Sequence, residues 1–274
     1  LSDQRIVLLG KTGSGKSSAG NTIIGNIVFK NGMSFNSITT HCQSHLTTVE
    51  GRNISVIDTP GQFDTNELMS DEQRKAEIVK CVYMSAPGPH VFLLVMRLDM
   101  RYTNEEKDTV KWIQENFGEE ATRYTIILFT RGDQLKGKTL DDYISKDNDL
   151  KALVNECGDR FHSFNNEDIK NRSQVTELLE KIEKMLEENG GQHYTNETYR
   201  KAQKEIQWEA WKQKAKDYGK TALEIIGGAV VGAAILRVGP PAAAILRVGP
   251  PAAATAATAV IAAVIGRAKV TFRL

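Results

Sequence analysis

The chain has 274 residues, 41% of them hydrophobic and 25% charged, a globular composition that excludes disorder throughout. Its 35 Lys and Arg nearly balance 34 Asp and Glu, a net charge of +1, so it lacks the basic field of a dedicated nucleic-acid binder. Cys42, Cys81 and Cys157 are odd in number and far apart, which argues against a disulfide scaffold and for a reducing compartment. The sequence opens at Leu1 with neither an initiator Met nor a signal peptide, and reads as a trimmed chain or a fragment.

In chain order, Arg5–Gly10, Asn53–Asp58, Val91–Met96 and Tyr124–Thr130 are apolar runs without alternation. Such runs suit strands buried on both faces, and the stretches between them are long enough for crossover helices. The expectation is an α/β fold on a mostly parallel sheet. A helix is expected over Thr103–Phe117, with Thr103 as N-cap, Glu106 three residues on, and Val110, Ile113 and Phe117 on one face. A further helix, Val175–Asn189, breaks at Gly190-Gly191.

The first strand runs into Gly10-Lys11-Thr12-Gly13-Ser14-Gly15-Lys16-Ser17, a complete G-x-x-x-x-G-K-[ST] with a helical stretch after it. Glycines let the backbone curl until its N–H groups converge on phosphate oxygens, and the next helix adds its positive end. Lys16 would set a charge on the β and γ phosphates, and the Ser17 hydroxyl would meet Mg²⁺. The fold class is therefore a P-loop NTPase, three-layered α/β/α. This motif does not choose between ATP and GTP.

Asp58 closes the second strand and is followed by Thr59-Pro60-Gly61, a D-x-x-G 48 residues after Gly10 (58 − 10). That acid can hold the Mg²⁺ shell, and the Gly61 N–H can sense a γ-phosphate. Base choice falls to Thr130-Arg131-Gly132-Asp133, where GTPases carry N-K-x-D. A carboxylate at Asp133 accepts from guanine N1–H and the N2 amine, a donor pair adenine lacks. Arg131 can stack on the base. Phe161–Asn166 ends another short strand, and Asn165 or Asn166 could donate to guanine O6.

Taken together these residues resemble the GIMAP family, the GTPases of immunity-associated protein with an AIG-type G domain. The resemblance rests on Gly15-Lys16-Ser17-Ser18-Ala19-Gly20-Asn21-Thr22-Ile23-Ile24-Gly25, on Ser37-x-Thr39-x-x-Cys42, on Asp58–Gly61, on Ser85–His90 and on Arg101-Tyr102-Thr103. Thr-Arg-x-Asp in place of Asn-Lys-x-Asp is typical of that family. The match runs from Arg5 to about Asn189 and leaves the tail uncovered. It implies a guanine-nucleotide switch that binds GTP and GDP with Mg²⁺ at residues 10–18, pairs with itself or a relative through G domains, and often sits on intracellular membranes. Lys136–Asp159 resembles the family's helical insertion. Thr39 is the choice for the switch I threonine closing on Mg²⁺ and γ-phosphate, with Thr40 the runner-up, so Ser17, Thr39 and Asp58 form the expected metal set.

Hydrolysis needs a water-orienting group and positive charge. Gln62 follows Gly61, where the family pattern has an apolar residue. Arg101 is the second candidate, as a finger reaching a partner's γ-phosphate. His41, Cys42 and His45 cluster but lack the four-ligand spacing of a structural zinc site. The expected divisions are a G domain over 1–190, a charged helical extension over 191–220 bearing Trp208 and Trp211 on one face, and an apolar Ala/Gly-rich tail over 221–274. In that tail Ala-Ile-Leu-Arg-Val-Gly-Pro-Pro-Ala-Ala occurs at 234–243 and again at 244–253. Val248–Gly266 is 19 residues without a charge and is a candidate membrane segment; an apolar helix folding back and a flexible tail are the other two readings. The overall expectation is a cytoplasmic protein that an intracellular membrane can anchor. Two function classes stay open, a slow GTPase switch and a nucleotide-dependent scaffold with little hydrolysis. An adenine-nucleotide enzyme is disfavoured by Asp133.

Overall fold

A computed structural model describes residues 4–30, 39, 41–61, 70–100 and 109–226, with side chains as far as Gln213. Six strands form one sheet in the order β2-β3-β1-β4-β5-β6: β1 (Gln4–Leu9), β2 (Gln43–Val49), β3 (Arg52–Asp58), β4 (Val91–Arg97), β5 (Thr125–Thr130) and β6 (Phe161–Ser163). The four central apolar runs of the sequence are strands, and β1 pairs in parallel with β3 and β4, β4 with β5, and β5 with β6.

Two-sided burial explains why these runs do not alternate. Side chains point to opposite faces in turn, and both faces are covered. Val7, Leu9, Phe92, Leu94, Met96, Ile127 and Phe129 belong to one core, with helices α2 (Asp71–Ser85), α3 (Thr109–Phe117) and α5 (Asn148–Glu156). Ile6, Leu8, Val91, Leu93, Val95, Ile126 and Leu128 belong to the other, with α1 (Lys16–Ile24) and α6 (Ser173–Glu188). This is the expected α/β/α sandwich. A five-residue helix α4 (Leu140–Ile144) and α5 fill the stretch assigned to a helical insertion.

Strand β2 was not legible as a strand. Gln43-Ser44-His45-Leu46-Thr47-Thr48-Val49 is largely polar, and it forms the antiparallel edge beside β3. The available signal was the turn: Glu50 (φ 51°) and Gly51 (φ 75°) are both left-handed, as a two-residue hairpin loop demands.

Of the expected helix Thr103–Phe117 the described part is α3, Thr109–Phe117; Thr103 and Glu106 lie outside the described residues. Gly190 and Gly191 both have positive φ (85° and 72°) at the break after α6. The following segment is held in place: the Tyr194 N–H donates to Pro89 O at 2.8 Å, and the buried Tyr199 hydroxyl meets Ser85 Oγ at 3.1 Å. The last helix, α7, runs Glu197–Ile226. The chain divides into compact units at Leu1–Gln203 and Lys204–Leu274. In the second, Trp208 and Trp211 stack at 5.2 Å with Lys212 Nζ over the Trp208 ring. No described helix is long and apolar enough to cross a membrane, and Val248–Gly266 lies outside the described residues.

Candidate functional site

The site lies where β1, β3 and β5 end. Past Leu9 the chain turns at Gly10, φ 142°, where any Cβ would overlap Val95 O. Gly15 caps α1 in the left-handed region (φ 94°), so only a residue without a Cβ strain lets the helix start there. Between them the Ser14 N–H donates to Lys11 O at 3.1 Å, closing the curl. Lys16 is 6% exposed, and its Nζ donates to Gly10 O and Lys11 O, each at 2.9 Å. Its charge is therefore anchored over the loop that the sequence assigned to phosphates.

The three residues expected to hold Mg²⁺ come together. Ser17 Oγ donates to Asp58 Oδ2 at 2.6 Å and lies 3.1 Å from Thr39 Oγ1; Thr39 Oγ1 donates to Asp58 Oδ2 at 3.5 Å. Asp58 is 1% exposed, and burial pushes its carboxyl above the ordinary value, opposed by the Ser17 hydrogen bond and the Lys16 charge. The Thr59 hydroxyl donates to Leu8 O at 2.7 Å and so pins the start of D-x-x-G to β1, a role the sequence did not suggest. Whether a nucleotide and its metal fit is tested by what the protein leaves unpaired. Asp58 Oδ1, Thr12 Oγ1 and Ser14 Oγ are buried side-chain oxygens with no hydrogen-bond partner. Buried polar atoms are nearly always paired, and three of the five such orphans among the described residues lie in residues 10–17 and at Asp58, where a polar ligand would pair them. Oxygen donors of this kind suit Mg²⁺.

The base-side loops also meet. The Gly132 N–H donates to Phe164 O at 2.9 Å, which brings the Arg131–Asp133 turn against Phe161–Asn166. Arg131, at φ 64°, pairs with Glu167 at 3.1 Å. The Asp133 carboxylate accepts from Gln134 Nε2 at 2.6 Å, a bond that guanine would have to replace. Asn165 Oδ1 accepts from the Glu167 N–H at 3.1 Å, and Asn166 Oδ1 accepts from Thr22 Oγ1 at 2.8 Å. The amide N–H groups are what each has left to offer a base carbonyl. Gln174, not suspected from sequence, braces this loop: it accepts from the Asn165 N–H and donates to Asn165 O and Asp168 O.

Gln62, Arg101 and Thr40 lie outside the described residues.

A family model described as the AIG1 family matches residues 4–214. The chain belongs to the AIG1 family. GTPase IMAP family member 8 of Homo sapiens is 40% identical over 199 residues, covering 72% of this chain and 30% of that protein. Immune-associated nucleotide-binding protein 3 of Arabidopsis thaliana is 37% identical over 220 residues, 77% of this chain and 65% of that protein. The chain thus spans from under a third to about two thirds of these relatives. Among solved structures, one titled for dimerization being important for the GTPase activity of the chloroplast translocon components atToc33 and psToc159 superposes with TM-score 0.54 at 22% identity, covering 68% of this chain and 83% of that one. A dimerization-deficient mutant of Toc33 from Arabidopsis thaliana gives TM-score 0.51 at 22%, over 66% of this chain and 83% of that one. These two likenesses are of fold.

Two features of this AIG1-family sequence now have structural reasons. The Gly20-Asn21 pair shapes the chain after α1: Asn21 is buried, donates to Phe29 O, and accepts from the Val28 and Phe29 N–H groups, while a Cβ on Gly20 would lie 2.8 Å from the Phe29 ring. Thr130 stands where the commoner motif has Asn. Its buried hydroxyl donates to Ser14 O at 2.8 Å, with Met96 O at 3.2 Å. It therefore ties the base-side strand to the phosphate loop. Thr130→Val keeps the shape and removes the donor, leaving a buried carbonyl unpaired. The expected cost is about 1–3 kcal/mol in a urea titration. Nucleotide affinity should drop with it, whereas Thr130→Ser should recover most of both.

Proposed function

We propose that this chain is a guanine-nucleotide switch that binds GTP and GDP with Mg²⁺ and slowly hydrolyses GTP, with turnover raised when two G domains pair. The observation that carries the reading is the meeting of Ser17, Thr39 and Asp58 within hydrogen-bond reach beside a loop over which Lys16 is anchored. Membership of the AIG1 family and relatives named as a GTPase and as nucleotide-binding proteins support it.

In this reading the curled backbone of residues 10–15 and the helix start at Lys16 cradle the phosphates, and Lys16 neutralises the β/γ oxygens. Mg²⁺, when bound, would withdraw charge from the same oxygens. A γ-phosphate would hold Thr39, which already stands 3.1 Å from Ser17 Oγ, in this closed position, and Gly61 would do the same for the end of β3. Asp133 selects guanine, Arg131 covers the base under the hold of Glu167, and Asn165 or Asn166 meets O6. Gln62 in the same chain or Arg101 from a partner G domain supplies the remaining help for hydrolysis.

The test is titration of labelled GTP, GDP and ATP in Mg²⁺, followed by GTP turnover over a range of protein concentrations. Selective guanine binding with turnover per molecule rising with concentration is the expected result. Equal competition by ATP would remove the guanine reading. Selective binding with negligible turnover at every concentration would favour the second reading, a nucleotide-dependent scaffold, for which the uncharged Val248–Gly266 segment and a membrane partner are the motive.

A further inference from the structure

Of the orphan oxygens at the site, the Thr12 hydroxyl has been given no particular partner. Position 12 is one of the four freely variable places of the loop motif, where backbone alone is expected to matter. Yet the Thr12 Oγ1 atom is buried and has no hydrogen-bond partner. It is also covered from one specific direction. A Cβ built on Gly61 would overlap Thr12 Oγ1 and would come within 2.7 Å of Thr12 N. The glycine of D-x-x-G therefore packs directly on this hydroxyl.

The neighbouring orphan makes the contrast. Ser14 Oγ is also buried and unpaired, but it lies inside the curl, 3.0 Å from where a Gly10 Cβ would stand. It sits on the β1 side of the loop, over which Lys16 Nζ is bound to Gly10 O and Lys11 O. Of the two, Thr12 is the one on which Gly61 is placed. In the reading above Gly61 senses a γ-phosphate, so a third phosphate would enter between residues 10–15 and that glycine. A diphosphate ends short of it.

We propose that the Thr12 hydroxyl is a specificity group for the third phosphate: it donates to a γ-phosphoryl oxygen when a nucleoside triphosphate is bound, and in its absence is capped by Gly61. This deepens the reading of the site as a guanine-nucleotide site and rests on it. The donor is a hydroxyl and the acceptor an anion, a charge-assisted bond stronger than a neutral one. A small glycine is required opposite because the cap and the phosphate use the same side of the oxygen. The price of the arrangement is borne by the free protein, which keeps an unpaired buried hydroxyl.

That cost supplies a readout which a purely structural residue would not give. Thr12→Val keeps the shape and deletes the donor; Thr12→Ser keeps the donor. With the full chain in Mg²⁺, the affinities of GDP and of the non-hydrolysable triphosphate GMPPNP are measured for each, together with the melting temperature without nucleotide. In Thr12→Val, GMPPNP affinity should fall 5- to 20-fold, GDP affinity should stay within twofold, and the nucleotide-free melting temperature should hold or rise. Thr12→Ser should restore GMPPNP binding to within threefold of the parent. Equal loss of both nucleotides in Thr12→Val, or an unchanged ratio between them, overturns the proposal. If the parent protein binds neither nucleotide, the guanine-nucleotide reading itself has failed, which is a separate result. If Thr12→Val does not fold, Thr12→Ala and Thr12→Ser carry the comparison, and a ratio unchanged in Ala overturns it equally.

Discussion

Replacing Lys16 by Ala is expected to weaken GDP and GTP binding about a hundredfold while leaving the sheet intact. Lys16 Nζ sits 2.9 Å from both Gly10 O and Lys11 O, so the ammonium is already fixed over the curled backbone before any ligand arrives. A preset charge avoids the ordering cost of a mobile lysine, and each hydrogen bond it gives to an anion is worth roughly 1.5–3 kcal/mol. With two of the three ammonium N–H groups on carbonyls, one such bond corresponds to about one to two powers of ten in affinity, and lost loop order adds to that. Fluorescent-nucleotide titration reads the affinity, and far-ultraviolet circular dichroism checks the fold. Retention of affinity within threefold would show that backbone N–H groups alone hold the phosphates, and the assigned role of Lys16 would fall.

Asp133→Asn should change which base is bound rather than whether one is bound. Guanine offers two donors, N1–H and the N2 amine, to the two carboxylate oxygens. An Asn amide accepts at one atom and donates at the other, so one donor then faces another donor. Once a bound base covers it, a mismatch of this kind costs several kcal/mol by order of magnitude, so GTP affinity should fall at least a hundredfold. Xanthine carries a carbonyl where guanine has the amine, and it matches the Asn amide. Competition against labelled nucleotide should therefore show xanthosine triphosphate gaining as GTP loses. Asp133 is exposed and its carboxylate is bonded to Gln134 Nε2 at 2.6 Å, so the substitution should leave the fold undisturbed. If GTP affinity drops with no gain for the xanthine nucleotide, the loop has been damaged and Asp133 is not the base reader.

The two experiments divide along a line that also separates what could be read early from what could not. Lys16 and Asp133 were named from local pattern: a glycine loop between strand and helix, and an acid three residues past a buried strand. Residues 10–17 are contiguous, and their curl is dictated by glycines at φ values other residues avoid, so the loop's shape is written within eight residues. The central strands were legible for an equally local reason. Runs such as Val91–Met96 have no polar face and can only be buried on both sides. The edge strand β2 was not, because a strand paired on one side and half in solvent needs no apolar run.

Motif position also suggested the metal set, but not its state of assembly. That Ser17, Thr39 and Asp58 stand within 3.5 Å of one another is a property of three segments far apart in the chain. Thr130 shows the limit most clearly. Read as a string it is a substituted base-binding motif; in the folded chain its hydroxyl reaches Ser14 O, 116 residues away, and braces the phosphate loop. Thr59 bonded to Leu8 O and Gly61 closing on Thr12 Oγ1 are contacts of the same long-range kind.

By itself, then, the sequence determined the fold class, the glycine curl of residues 10–17 and the acid that closes β3, because each follows from backbone preferences and burial within a short window. Which hydroxyls are spent on the protein and which are left over for a ligand was decided only by the tertiary structure. Pairing is a matter of distance in space, and a buried oxygen is known to lack a partner only once everything around it has been placed.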